Sequence, residues 1–438
     1  MSRGARIVGA MAVLSLALRT WFAWRWYGFQ TGDDLEIAEE AFRVAHGLVH
    51  QPWNIRSLFV PDAIVAPFVK LALLFGIDDA VSLAFFARVP FLLLGALNIA
   101  LLFVLGRRWY DERTATLAAS LYACHWIPLV YGSSSYPRTF AVTCILAAAL
   151  LLARFPFLTG LIAAVAVTTR YSEAIFVASL LLLVRNRRAC VALCGGFAIG
   201  LLVFIGLYDR VTWGEWFASA LEFARLTFRE RDASSLNVHQ PPWWYFTSLP
   251  QWVPLTALPL LVVAAMRGEA RRMLAFLALP LLVLSTIFHK ELRYLQVLVP
   301  FTLLFAAAGF TKWPYRRAIA IALLTLAFPL ALGRINSVTR RSTNAVDAAL
   351  WIARQHPRGV ALSQAWAYGG RLFLGNDVEI ADIDIPPDAR RIRALASNIT
   401  IVGIYTSEID EAALRESGFT KTRSFENRGG RAVTIFQR

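Results

Sequence analysis

The chain alternates long apolar runs with short polar breaks, and the runs have the length of membrane-crossing helices rather than of core strands. A helix spans a bilayer with about 20 apolar residues, somewhat fewer inside a bundle. By that measure about eleven runs qualify, near 6-28, 84-105, 115-132, 137-153, 156-169, 174-185, 189-207, 245-265, 273-287, 294-310 and 318-333. Residues 57-77 are apolar too, but Pro61, Asp62, Pro67 and Lys70 interrupt them, which predicts a helix lying at the interface or dipping into the bundle.

From residue 334 the pattern changes. Short β-rich runs alternate with helical ones: Val360 to Leu362, Val378 to Asp384, Pro386 to Ser397, Ile399 to Tyr405 and Ser407 to Gly418. Ser407 with Asp410 marks a helix start and Gly418 a stop. This order predicts a small α/β domain over 334-438 with a mostly parallel sheet, closed by a hairpin around Asn427-Arg428-Gly429-Gly430. Residues 1-333 form the transmembrane domain.

Composition sharpens the picture. With 57% hydrophobic and 17% charged residues in 438, and mean hydropathy +0.53, the chain is no ordinary soluble enzyme. The net charge of +15 does not point to nucleic acid, because the surplus sits in short clusters between apolar runs: Arg107-Arg108, Arg185 to Arg188, Arg271-Arg272 and Arg316-Arg317. These read as cytoplasmic loops. Arg3 and Arg6 precede the first run and acidic residues follow it, so the N-terminus is expected in the cytoplasm. Alternation then places 29-82, 170-173, 209-244, 289-293 and the tail outside. The first run lacks a small-residue cleavage site after it and is expected to remain as an anchor. The four cysteines, Cys124, Cys144, Cys190 and Cys194, lie in apolar runs and read as small core residues.

Charged residues at the membrane edge are costly and therefore informative, and here they gather on the outer side. Asp33, Glu36 and Glu40 share one face of a predicted helix whose other face carries Ile37, Ala41 and Val44. This predicts an amphipathic surface helix with its acids open to water or substrate. Asp33 either caps the helix, as Asp33-x-x-Glu36 allows, or takes a proton from an acceptor hydroxyl. In His289-Lys290-Glu291-Leu292-Arg293-Tyr294, His289 and Arg293 are one turn apart. A helix starting here would join its amides to these cations as a phosphate site, or the charges simply snorkel. Arg170 either pairs with Glu173 across a tight hairpin or faces the phosphate. The loop residues His239, Trp243, Trp244 and Tyr245 anchor an interface or line an acceptor cleft.

Together these segments resemble glycosyltransferase family 22 of the GT-C superfold, the mannosyltransferases that use dolichyl-phosphate mannose. The stretch His289 to Tyr294 is similar to that family's His-Lys-Glu-x-Arg-Phe/Tyr signature. Asp33, Glu40, Trp53 and Arg56-Ser57 follow the order of its first outer loop, with Asp34 in place of the usual Glu. Asp209, Trp216, Phe223 and His239 to Tyr245 resemble its second loop, with one extra residue between His and Trp.

The resemblance implies a GT-C enzyme of about eleven transmembrane helices that moves a hexose, mannose first, from a polyprenyl-phosphate donor to a glycan or lipid-linked acceptor, with inversion. It implies Asp33 as base with Asp34 beside it, and His289, Lys290 and Arg293, with Arg170 and Arg56, on the donor phosphate. Glu40, His239, Trp243 and Tyr245 are the acceptor candidates. No cofactor is called for, though Asp33, Asp34 and Glu40 offer carboxylates to a divalent cation. The implied setting is a bacterial inner membrane with the site and tail facing the periplasm, and the rival reading is a transporter or flippase of a lipid-linked sugar.

Overall fold

A computed structural model describes residues 2–25, 32–50, 56–228, 240–253, 261, 271–287, 290–310, 329, 331–335, 343–363, 369–383, 389–405, 411–426 and 432–438. The helices of the first part run α1 Arg3–Arg25, α2 Gly32–Ala45, a π-helical turn Val60–Val65, α3 Ala66–Leu74, α4 Ala80–Trp109, α5 Glu112–Cys124, α6 Trp126–Tyr131, α7 Arg138–Leu151 and α8 Pro156–Val167. They continue with α9 Ala174–Leu183, α10 Arg187–Leu201, a second π-helical turn Leu202–Leu207, α11 Tyr208–Thr212, α12 Ala218–Phe228, α13 Trp244–Thr247, α14 Leu249–Trp252, α15 Arg271–Thr286 and α16 Leu298–Phe310.

Three of these stretches, Arg3–Arg25, Ala80–Trp109 and Arg187–Thr212, are long and apolar enough to cross a membrane, and five shorter apolar helices accompany them. The chain is a multi-pass membrane protein, and its outward side chains fit that setting. Val13, Leu14, Trp21 and Trp24 of α1 stay exposed, as lipid-facing residues would. Polar residues cap the helix ends: Asp79 accepts Ser82 N–H at 2.9 Å to start α4, and Asn186 accepts Ala189 N–H at 2.7 Å to start α10. Helices α8 and α10 touch backbone to backbone, because a Cβ on Gly160 or Gly196 would collide with Leu193 or Phe157 carbonyls.

The run 115-132 is not one helix. It breaks at His125, which is extended, and the break is satisfied from both sides. His125 Nδ1 accepts Ile127 N–H at 3.1 Å, its Nε2 lies 2.7 Å from the Trp252 carbonyl, and Trp126 Nε1 donates to the Gln251 carbonyl at 2.7 Å. The expectation of four core cysteines also fails in part: Cys144 is buried, but Cys194 is exposed on α10, whose surface faces outward.

The tail adds α17 Thr343–Ala353, β1 Gly359–Leu362, α18 Gly370–Leu374, β2 Glu379–Asp382, α19 Ala389–Arg393, β3 Ile399–Tyr405, α20 Glu411–Glu416, β4 Thr420–Phe425 and β5 Val433–Gln437. Strand order is β2-β1-β3-β5-β4. β1 pairs in parallel with β2 and β3, while β5 runs antiparallel to β3 and β4. The sheet is therefore mixed rather than mostly parallel, because the closing hairpin brings β5 back against β3. Every residue of β1 is buried, as a central strand covered on both faces must be, while the exposed edge strand β4 carries Lys421 and Arg423.

Packing runs across the compositional boundary at residue 334. One apolar cluster joins Leu35, Ala38 and Phe42 of α2, Val65 and Val69, and Leu83 and Phe91 of α4 to Val346, Leu362, Leu372 and Ile401 of the tail. The segment 57-77 belongs to this cluster, with Leu74 and Phe75 left exposed. The acidic helix α2 thus lies between the bundle and the tail.

Candidate active site

Helix α2 does not present its acids to water as its pattern predicts. Asp34, Glu39 and Glu40 are buried, Glu39 against the tail and Asp34 and Glu40 against residues of the first part of the chain. Asp33 is placed by its backbone as the second residue of α2, so its capping and its side chain lie outside what is described. Asp34 is fully enclosed. Ser135 Oγ donates to its carbonyl at 2.6 Å, and its carboxylate acts electrostatically on Arg88, a buried guanidinium of α4 that also donates to the Ala23 carbonyl at 2.7 Å.

Further along, each acid takes a different partner. Glu36 lies 3.3 Å from Arg56, which ties this arginine to α2. Glu39 accepts Arg43 Nη2 at 3.2 Å and the Arg371 N–H of the tail at 3.1 Å. Glu40 Oε2 lies 2.9 Å from His50 Nδ1, and His50 Nε2 lies 3.5 Å from Asp62 Oδ2, which also accepts the Tyr208 hydroxyl at 2.9 Å. The hydrogen bond to Glu40 pushes the His50 pKa up. Burial pushes Asp62 up to about 6, against the pull of His50. Among the described residues no group of three His, Cys, Asp or Glu side chains is placed to hold a metal ion, and Glu40 is turned to His50 rather than toward Asp34.

A second cluster is cationic. Lys290 is 2% exposed, and its Nζ donates to the Gln240 carbonyl at 2.9 Å and the Ile287 carbonyl at 2.5 Å. Among the described residues it has no carboxylate partner, and burial lowers its pKa. Arg293 forms a two-pronged pair with Glu291, Nη2 to Oε1 at 2.7 Å and Nε to Oε2 at 2.5 Å. Three guanidinium carbons stand around the Tyr294 ring, those of Arg138, Arg170 and Arg293 at 4.3, 5.6 and 5.7 Å from its centroid. His289 lies outside the described residues.

The local backbone differs from a helix start. Glu291 is extended, residues Leu292–Leu295 form a 3-10 turn, and α16 begins only at Leu298, so no α-helical amides point at these cations. The Lys290 ammonium instead satisfies the carbonyl of Ile287, just past α15. Tyr245 is fully buried rather than open to a cleft, and its hydroxyl donates to the Glu291 carbonyl at 3.3 Å. Trp243 is 61% exposed. His239 is outside the described residues.

Sequence reasoning missed Arg138. It is 2% exposed and binds Glu173 through Nε at 2.6 Å, the acid that was one of the two partners open to Arg170. Its signal was available: an arginine at the head of the apolar run 137-153 breaks the same cost rule that singled out Lys290. Thr139 beside it accepts Gln296 Nε2 at 2.9 Å, while its carbonyl accepts Asn98 Nδ2 at 3.1 Å, so α4, α7 and the cationic segment are joined there. The pairing of His50 with Asp62 carried no comparable pattern, since a π-helical turn and a loop bring them together.

The model of the Alg9-like mannosyltransferase family matches residues 16–356. The mannosyltransferase APTG1 of Arabidopsis thaliana is 28% identical over 117 residues, 26% of this chain, and the match spans only 21% of that relative's length. Among solved structures, ArnT from Cupriavidus metallidurans bound to undecaprenyl phosphate superposes with TM-score 0.71 at 13% identity, covering 99% of this chain and 98% of that one. The Archaeoglobus fulgidus oligosaccharyltransferase superposes with TM-score 0.60 at 14% identity, covering 91% of this chain and 68% of that one.

Proposed function

Because the chain belongs to the Alg9-like mannosyltransferase family and has the GT-C fold, we propose that it transfers a hexose, mannose first, from a polyprenyl-phosphate donor to a glycan or lipid-linked acceptor at the outer face of a bacterial inner membrane. The observation that carries this reading is Lys290, a buried ammonium whose partners are two backbone carbonyls, beside the three arginines gathered on Tyr294. A buried cation without a counter-ion is costly, and a phosphate delivered with the donor offsets that cost through charge-assisted hydrogen bonds. Family membership favours transfer over transport of a lipid-linked sugar.

The chemistry is a single displacement. The acceptor hydroxyl oxygen attacks the anomeric carbon, the bond from that carbon to the phosphate oxygen breaks, and polyprenyl phosphate leaves with the electron pair. Lys290, Arg293, Arg170 and Arg138 stabilise the charge that develops on it. The hydroxyl proton goes to the Asp33 carboxylate at the start of α2. One attack from the face opposite the leaving group inverts the anomeric centre, with no covalent enzyme intermediate. Asp34, held against Arg88, supports the geometry of Asp33, while Arg56 acts from the Glu36 side. Glu40 and Trp243 lie on the acceptor side, and Tyr245 supports the segment of Glu291 from below.

The test separates binding from rate. Lys290→Ala is expected to weaken binding of a polyprenyl-phosphate hexose at least tenfold. Asp33→Asn should bind it normally and transfer about 10²–10⁴-fold more slowly, the usual loss for a general base. Unchanged donor affinity in Lys290→Ala combined with Arg293→Ala would move the phosphate site elsewhere. A near wild-type rate in Asp33→Asn would hand the base role to Asp34. Absence of turnover with every polyprenyl-phosphate hexose would overturn the reading itself.

A further inference from the structure

Glu39 makes a contact that the transfer reaction does not use. It lies on α2 about a turn and a half beyond Asp33 and Asp34, is 2% exposed, and accepts the backbone N–H of Arg371 at 3.1 Å. Arg371 is the second residue of α18, so its amide is one of those a helix cannot satisfy from within. A carboxylate of α2 therefore caps a helix of the tail.

The tail is shaped to receive it. Gly369 and Gly370 have φ of +74° and +44°, a backbone that residues with a Cβ rarely adopt. The Glu39 carboxylate rests directly on Gly370, where any side chain would collide with both of its oxygens. At Gly369 a Cβ would come within 3.3 Å of Leu35 Cδ2. Leu35, Ala38, Phe42, Leu372 and Phe373 surround the contact with apolar packing. Burial raises the Glu39 pKa despite Arg43 and the Arg371 amide, so a carboxyl is kept there at a desolvation cost that an apolar side chain would not bear.

We propose that the C-terminal α/β unit positions the catalytic helix, with Glu39 as the positioning residue: its clasp on Gly370 and Arg371 fixes the rotation and axial register of α2, and so the placement of Asp33 and Asp34 against the donor cations. The proposal rests on the reading that α2 carries the base. Apolar packing alone holds a helix face loosely in rotation, whereas a hydrogen bond to one named amide sets it. An error of about 1 Å at a reacting group costs on the order of 10²-fold in rate.

The experiment uses the full chain with Glu39→Leu, Glu39→Gln and Gly370→Ala. Glu39→Leu and Gly370→Ala are expected to fold and to bind undecaprenyl phosphate, used as probe, with wild-type affinity. Their kcat should fall about 10- to 100-fold with little change in the donor KM. Glu39→Gln, which keeps an oxygen for the Arg371 amide, should recover most of that kcat. Hydrogen exchange supplies a readout independent of turnover: in Glu39→Leu the amides of α2 should exchange faster while those of β1 and β3 do not. A kcat within twofold of wild type per folded molecule in Glu39→Leu, or unchanged exchange in α2, overturns the proposal. Faster α2 exchange in a protein that never transfers sugar would instead leave the clasp standing and refute the transferase reading.

Discussion

A single imidazole ties three elements of the outer layer together, and its proton sets how firmly it does so. His50 faces Glu40 through one ring nitrogen and Asp62 through the other, so it binds both carboxylates only as the cation. Its folded pKa lies above 6.5 because of Glu40 and Asp62, against burial and Arg43. A raised histidine pKa contributes stability that is complete below 6.5 and lost as pH rises through the folded value. Asp62 acts in the same direction at lower pH. Its folded carboxyl, pushed from 3.8 to about 6, holds a proton more tightly than the unfolded chain, so stability also falls between those values. The expected outcome is a Tm that declines as pH rises from 6.5 through the raised folded value in the wild type, and a flatter profile over that window in His50→Gln. A wild-type Tm that is flat there would remove the imidazolium from the network. At this scale the sequence drew notice to charges that interrupt an apolar run, as at Lys290, Arg293, Arg170 and Asp62, but Arg138 at the head of another run was passed over. It was silent on the pairing of His50 with Asp62, because a link between a loop and a π-helical turn leaves no periodic trace.

Helices show a similar division between what hydropathy reports and what backbone chemistry decides. The runs 6-28, 84-105 and 189-207 correspond to α1, α4 and α10 because length and polarity determine whether a segment can cross a bilayer. Hydropathy averages over side chains, so it did not register the break at His125, where a side chain takes over a backbone hydrogen bond. It was equally blind to the face on which two helices meet. Gly196 and Gly195 are adjacent in α10, but only Gly196 abuts α8. A Cβ there collides with the Phe157 carbonyl, whereas a Cβ at Gly195 meets nothing within 4 Å. Gly196→Val should separate the helices at a cost of about 1–3 kcal/mol or more, the usual penalty for overpacking. Gly195→Ala should be neutral or stabilise by up to about 1 kcal/mol, since alanine favours the helix. Thermal unfolding in detergent compares the two directly, and equal Tm values would mean that α8 and α10 do not touch through Gly196.

For the whole molecule, the shared core of α2 and the tail decides which side of the membrane each occupies. Leu35 and Phe42 pack in one cluster with Val346, Leu372 and Ile401, and Glu39 bonds to Arg371, so α2 and the tail lie on the same side. The composition change at residue 334 was legible in the sequence. It could not show that the tail completes a core begun by α2, because hydropathy has no record of contacts between residues 332 positions apart. Sidedness then follows from parity. One apolar run precedes α2, so α2 lies opposite the N-terminus, and the number of crossings between α2 and the tail must be even. The arginine clusters give the sign independently: Arg185, Arg187 and Arg188, then Arg271 and Arg272, flank apolar segments on the side where positive charge is retained. Parity sets the tail opposite the N-terminus, and with the arginine clusters as the sign we propose a cytoplasmic N-terminus and a periplasmic tail. Reporter fusions after Arg188 and Arg272 should therefore signal from the cytoplasm and a fusion after Arg438 from the periplasm. A cytoplasmic signal at Arg438 with the other two unchanged would break the parity, since the tail could not then reach α2, and the clasp at Glu39 would fall with it.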